Sequence, residues 1–99
     1  MKQAQIFNEP TEVKFNNFNN ENPRVYELYK KYALALIQRG HKRIGSKMII
    51  ERIRYETKLL TTDKDYKINN NYTAHYARLF TRDFPQHIDK FCFKNLTAY

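Results

Sequence analysis

Apolar residues recur at three- and four-residue spacing in three segments of this chain, and this spacing constrains the fold more than any other feature. Residues three and four apart share one face of an α-helix, so the pattern predicts helices over 23–39, 46–57 and 71–83. The predicted core draws on all three helices and consists of Leu28, Tyr32, Leu36, Ile49, Ile53, Tyr76, Leu79 and Phe80. The expected fold class is therefore mainly α.

Capping residues stand at the ends of these segments. Asn22, Ser46 and Asn70 each precede a helical pattern, and their side chains can accept a hydrogen bond from a free amide of the first turn. Gly40 follows the first helix as a residue that tolerates positive φ, and Pro85 stops the third. The sequence thus predicts where each helix begins and ends.

The two ends of the chain give weaker signals. Residues 1–21 are expected to form a poorly ordered arm, because their asparagine-rich stretch favours turns, although apolar side chains could pin the arm onto the domain: Phe7, Val13, Phe15 and Phe18. Phe91, Cys92 and Phe93 predict a short extended segment near the C-terminus, and residues 22–99 are expected to form a single domain. The order of helices and extended segments resembles that of a winged helix-turn-helix, whose third helix enters the major groove of DNA, although the tail is short for a two-stranded wing. The connection before the third helix is longer than that motif usually has.

Positive charge is concentrated in the middle of the chain. The net charge is +8, and residues 24–58 carry ten Lys or Arg against three Glu, a balance of +7. A basic region of this kind attracts phosphate backbones, although it can equally be a solvated surface. We interpret it as a surface for nucleic acid.

Two groups of residues are candidate contacts. Helical spacing puts Asn71, His75, Arg78 and Arg82 on one polar face of the third helix, and Asn and Arg are side chains that read base edges. The candidates for sequence-independent phosphate contacts are Lys42, Arg43, Lys47, Arg54 and Lys58. A solvated helix face is the alternative interpretation of both groups.

Signals for catalysis or metal binding are few. Glu56-Thr57-Lys58 and Asp65-Tyr66-Lys67 fit the acid-x-Lys end of a metal-dependent nuclease site, a triplet that arises readily by chance in a charged chain. The three histidines and Cys92 lack the spacing of metal ligands. We therefore expect no enzymatic activity, no metal and no cofactor.

Three runs, NPRVYEL at 22–28, SKMIIERIRYET at 46–57 and KINNNYTAHYAR at 67–78, resemble a family of small uncharacterised proteins encoded by bacteriophages and prophages. The resemblance covers about residues 22–93 and implies no particular activity. It implies a context, which is a phage-borne protein in a bacterial cytoplasm.

The sequence-based hypothesis is a DNA-binding module without catalysis, whose third helix reads bases while residues 42–58 grip phosphates. A homodimer is compatible with it, with Met48 and Tyr55 as candidate contacts. The alternative is a phage-encoded inhibitor of a bacterial defence system, such as an anti-CRISPR, that binds a host protein. The single cysteine and the absence of an apolar run predict a cytoplasmic protein without a membrane span.

Overall fold

The computed structural model describes residues 3–61 and 67–91, with side chains from residue 12 onward. Four α-helices follow one another: α1 (Gln3–Glu21), α2 (Pro23–Gln38), α3 (Ser46–Leu60) and α4 (Tyr72–Asp83). A 3₁₀ helix, Pro85–Lys90, completes the order. The mainly α fold class is confirmed, and α2, α3 and α4 begin within one residue of the predicted positions.

The core lies where α2, α3 and α4 meet. Its fully buried large side chains are Val25, Tyr29, Ile49, Ile50, Ile53, Tyr76 and Phe80. Leu28, Tyr32, Leu36 and Leu79, which the sequence also assigned to the core, are only partly buried and pack around it. On α2, the residues that are buried are Val25, Tyr29 and Ala33, which belong to the same apolar stripe as Leu28, Tyr32 and Leu36.

The N-terminal segment differs from the sequence prediction, because residues 3–21 of the expected arm form α1. Its Phe15 is buried and packs edge-on against Tyr72 and Tyr76 of α4, with ring centroids 5.5 and 4.8 Å apart. Burial of one aromatic side chain is worth about 1.5–3 kcal/mol, which offsets part of the poor helix propensity of the asparagines in this segment.

Two predicted caps have other partners. Asn22 makes no side-chain bond to the first turn of α2; its amide instead donates to the Phe18 carbonyl at 3.0 Å and closes the end of α1. Ser46 is the first residue of α3, after the N-cap residue Gly45, and its hydroxyl points into the interior. The N-cap residue of α4 is Asn71 instead of the expected Asn70; it makes no side-chain cap bond, and its amide donates to the Asn69 side chain at 2.8 Å.

The extended elements of a winged helix are not confirmed. Among the described residues, the β pairing consists of a single parallel bridge between Ile44 and Phe91. Residues 85–90, within the expected extended tail, are 3₁₀-helical, while Cys92 and Phe93 lie outside the described residues.

Candidate nucleic-acid interface

The loop between α2 and α3 carries the first group of predicted phosphate contacts. Gly40, with φ of +90°, ends α2 in a Schellman motif: its amide donates to Ile37 at 3.0 Å, and the His41 amide donates to Leu36 at 3.1 Å. Four residues later, Ile44 is buried and its amide donates to the Lys90 carbonyl at 2.8 Å. These two anchors fix the loop at both ends.

The residues between the anchors face solvent. Lys42 and Arg43 are exposed, and so is Lys47 in the first turn of α3. Of the ion pairs in the described part of the chain, none involves these three side chains. The loop and the first turn of α3 together present three cations within six positions, and none of the three forms an ion pair with a described acid.

Arg54 differs from these three cations because its guanidinium is already bound by other residues of the chain, although it lies on the same face of α3 as Lys47. Its Nε and Nη2 donate to the Ile68 carbonyl at 3.2 and 2.7 Å, and Nη2 also donates to the Asn70 side chain. Its Nη1 lies 2.7 Å from Glu51. Arg54 thus ties the segment before α4 to α3 and has few donors left for a phosphate.

This tie affects the surface charge next to it. Glu51 stands four residues after Lys47, a spacing at which the two side chains could pair. The Arg54 guanidinium holds Glu51 instead, so Lys47 stays unpaired. Lys58, in the last turn of α3, is exposed as well and lies about 16 Å from Lys47 along the helix.

The predicted reading face on α4 is partly covered by α1. The ring of His75 stacks on Phe15 with centroids 4.9 Å apart and planes at 16°. Burial in this contact, together with the neighbouring Arg78 cation, lowers the pKa of His75, which Glu12 partly offsets. A neutral, stacked imidazole of this kind is poorly placed to reach a base edge.

The two arginines of this face have neighbours of their own. Arg78 is exposed, and its Nη2 lies 3.3 Å from Nδ1 of His75. Arg82 pairs with Asp83 at 3.0 Å, and the same carboxylate accepts a 2.7 Å hydrogen bond from Tyr26. That bond, with help from Arg82, lowers the pKa of Asp83 and keeps it charged.

Asn71 is exposed at the start of α4. His75, Arg78 and Arg82 lie on α4 and Asn71 is its N-cap residue; of these four, Asn71 and Arg78 are exposed without an acidic partner.

Sequence reasoning missed the residue that shapes the basic loop. Ile44 stands alone as an apolar side chain in the run from His41 to Gly45, and its burial turns its neighbours outward. An isolated apolar residue inside a basic stretch is a sequence signal that could have indicated the burial of Ile44. Its partner, Phe91, is far away in sequence and could not be read from local pattern.

The acid-x-Lys triplets gain no support as a nuclease site. Glu56 accepts a hydrogen bond from the Tyr32 hydroxyl and lies 3.6 Å from Arg52, and both neighbours lower the pKa of this carboxylate. Asp65 and Tyr66 lie outside the described residues. Over the ranges 3–61 and 67–91 there is no group of three side chains suited to hold a metal ion.

The helices described above are also too short or too polar to cross a membrane. Comparison with protein-family models, with curated proteins and with solved structures gave no match to this chain. The resemblance to phage proteins consequently remains a prediction.

Proposed function

We propose that this protein is a non-enzymatic DNA-binding module that holds duplex DNA mainly by its phosphates. The contacts come from a basic surface formed by Lys42, Arg43, Lys47 and Lys58. One observation carries the proposal: all four cations are exposed and form no ion pair among the described residues. Nearby acids are engaged elsewhere, since Glu51 pairs with Arg54.

The spacing of these cations favours a polyanion over a small phosphate compound. Three of them lie within six positions of the loop and the start of α3, and Lys58 lies about 16 Å farther along the helix. A small anion could contact either the three cations near the loop or Lys58, but not both at once. Duplex DNA offers phosphates on both sides of a groove about 12 Å wide, so separated cations can be used at once.

Base reading has a smaller part in this proposal than the sequence suggested. His75 is stacked under α1 and Arg82 is paired with Asp83, which leaves Arg78 and Asn71 as candidate base contacts. Phosphate contacts carry no sequence information by themselves. We therefore expect binding with weak sequence preference.

Anisotropy titration of a labelled random-sequence 20-bp duplex between 50 and 200 mM salt tests the proposal. Four phosphate contacts correspond to a slope of log K against log salt of about −3.6. Replacing Lys47 by Gln should weaken binding and reduce the magnitude of this slope by about one unit. Lys31→Gln makes the same charge change on α2, at an exposed position outside the basic surface, and should leave the slope unchanged.

Two results would overturn the proposal. One is the absence of binding at 50 mM salt; the other is an equal effect of Lys47→Gln and Lys31→Gln. The first would favour the alternative function, in which the protein binds an acidic surface of a host defence protein. The second would mean that a different surface holds the DNA. A matched RNA duplex distinguishes the nucleic acids, and tighter binding to RNA would contradict the choice of DNA.

The contribution of α4 is tested separately by Arg78→Ala on a selected sequence and on random DNA. A base contact predicts a loss of about 1–3 kcal/mol on the selected sequence and little on random DNA. An equal loss on both would mean that Arg78 contacts only phosphate, and the protein would then bind without reading sequence.

A further inference from the structure

The outer face of α3 exposes large apolar side chains that the basic surface does not use. Met48, Tyr55 and Leu59 are 56, 66 and 69% exposed. Together with Arg52, whose side chain is 62% exposed, they stand at spacings of four, three and four residues and form one stripe. We call Met48, Arg52, Tyr55 and Leu59 the α3 stripe.

The α3 stripe is complementary to itself when a second copy runs in the opposite direction. Reversal places Met48 opposite Leu59 of the other copy, and Arg52 opposite its Tyr55. Each apolar side chain then meets an apolar one, and each cation meets an aromatic ring. An Arg guanidinium is attracted to the face of an aromatic ring, and more strongly when water is excluded.

Arg52 is already oriented for such a contact. Its guanidinium lies over the Tyr32 ring of its own chain, 5.4 Å from the centroid, and its Nε is 3.6 Å from Glu56. One face of the planar group is thus occupied, while the large exposed fraction of the side chain leaves it accessible from solvent. An incoming tyrosine ring would meet a side chain that has already lost much of its conformational freedom.

We propose that a second copy of this chain occupies the α3 stripe, giving a two-fold symmetric dimer with antiparallel α3 helices. This goes beyond DNA binding and does not depend on it. The arrangement has one consequence for the basic surface: Lys47 and Lys58 lie about a quarter turn around α3 from the stripe. A two-fold axis perpendicular to both helices puts these lysines of both copies on the same side of the dimer.

Sedimentation equilibrium without DNA tests the dimer. The α3 stripe supplies four residues per copy, fewer than the about 20–30 residues a side of a standard stable complex, so we expect a micromolar dissociation constant. The apparent mass should rise from 12.0 kDa toward twice that value with concentration. Leu59→Glu should raise the dissociation constant at least tenfold, whereas Ile88→Glu, at a residue 54% exposed outside the stripe, should not.

A charge swap tests the antiparallel register. Tyr55→Arg should weaken the dimer, because it sets two cations against each other. Adding Arg52→Tyr to that variant restores a cation–aromatic pair and should recover most of the affinity. A mass that stays at 12.0 kDa up to millimolar concentration, equal effects of Leu59→Glu and Ile88→Glu, or a failure of the double variant to recover would each overturn the proposal.

Discussion

The Tyr29 hydroxyl lies 2.6 Å from Oγ of Ser46, and this hydrogen bond joins α2 to α3 inside the core. The Ser46 hydroxyl in turn donates to the Thr73 carbonyl of α4 at 2.8 Å. Because serine has a single hydroxyl proton, Tyr29 must be the donor to Ser46. Three helices are thus connected through one serine, which the sequence had suggested as a simple helix cap.

The first prediction concerns this connection. Ser46→Ala should destabilise the protein by about 1–3 kcal/mol, because it leaves the buried Tyr29 hydroxyl without an acceptor. Adding Tyr29→Phe removes the stranded hydroxyl, so the double variant should be more stable than the sum of the two single effects predicts. Denaturant unfolding of all four proteins measures the coupling. Additive effects would show that the bond contributes nothing to stability.

The second prediction concerns the α3 face that was correctly assigned to the core. Ile53 is fully buried, so Ile53→Ala should cost about 2–5 kcal/mol through lost burial and the cavity left behind. Met48→Ala, on the exposed face of the same helix, should change the unfolding free energy by less than about 0.5 kcal/mol at monomeric concentrations. Similar values for the two variants would mean that the buried face is misassigned.

The helices that the sequence predicted share one property, which is that their evidence is local. The apolar stripe, the Gly40 stop and the Pro85 stop all act within a few residues, and α2, α3 and α4 followed from them. Helix α1 did not, because it is stabilised by Phe15 packing on Tyr72 and Tyr76, more than fifty residues away. The asparagine-rich stretch is a local signal and favoured a poorly ordered arm. The residues against which Phe15 packs could not be identified from local sequence.

The candidate site shows the same division. Exposure of Lys42, Arg43, Lys47 and Lys58 matches the predicted basic surface, since charged side chains remain solvated unless a partner buries them. The roles of His75 and Arg54 were not predictable in this way. The role of each depends on a contact with a segment distant in sequence. His75 stacks on Phe15 of α1, and Arg54 donates to the Ile68 carbonyl.

The third prediction concerns the contact between α1 and α4. Folding lowers the pKa of His75 below its ordinary value of 6.5, chiefly through burial and also through Arg78. The unfolded chain therefore takes up a proton first as the pH falls, and the stability contributed by the neutral imidazole is lost below about pH 6.5. Exchange protection of α1 amides should drop between pH 7 and pH 5.5.

His75→Gln should flatten that pH dependence, while His41→Gln, at an exposed histidine of the basic loop, serves as the matched control. Protection of α1 that falls equally in both variants would assign the effect to another group. Protection that does not change with pH in the parent protein would contradict the proposed linkage between His75 and α1.

The last prediction separates two basic residues of one helix row. Arg54 has a side chain only 27% exposed and donates to the Ile68 carbonyl, whereas Lys47 is exposed and unpaired. Hydrogen bonds from charged groups contribute about 1.5–3 kcal/mol, so Arg54→Ala should lower the unfolding free energy by about that amount. Lys47→Ala should change it by less than about 0.5 kcal/mol.

On DNA binding, Lys47 should act directly and Arg54 only through its ion pair with Glu51. Lys47→Ala removes a proposed phosphate contact and should lower the salt slope by about one unit. Arg54→Ala releases Glu51, which can then pair with Lys47 and weaken DNA binding indirectly. If Arg54 itself contacts no phosphate, the double variant Arg54→Ala with Glu51→Gln should recover the affinity of the parent protein. A slope that remains one unit lower in that double variant would make Arg54 a direct phosphate contact after all. Thermal unfolding and salt titration of the same preparations measure both quantities, so the structural and the DNA-binding roles of the row can be assigned independently.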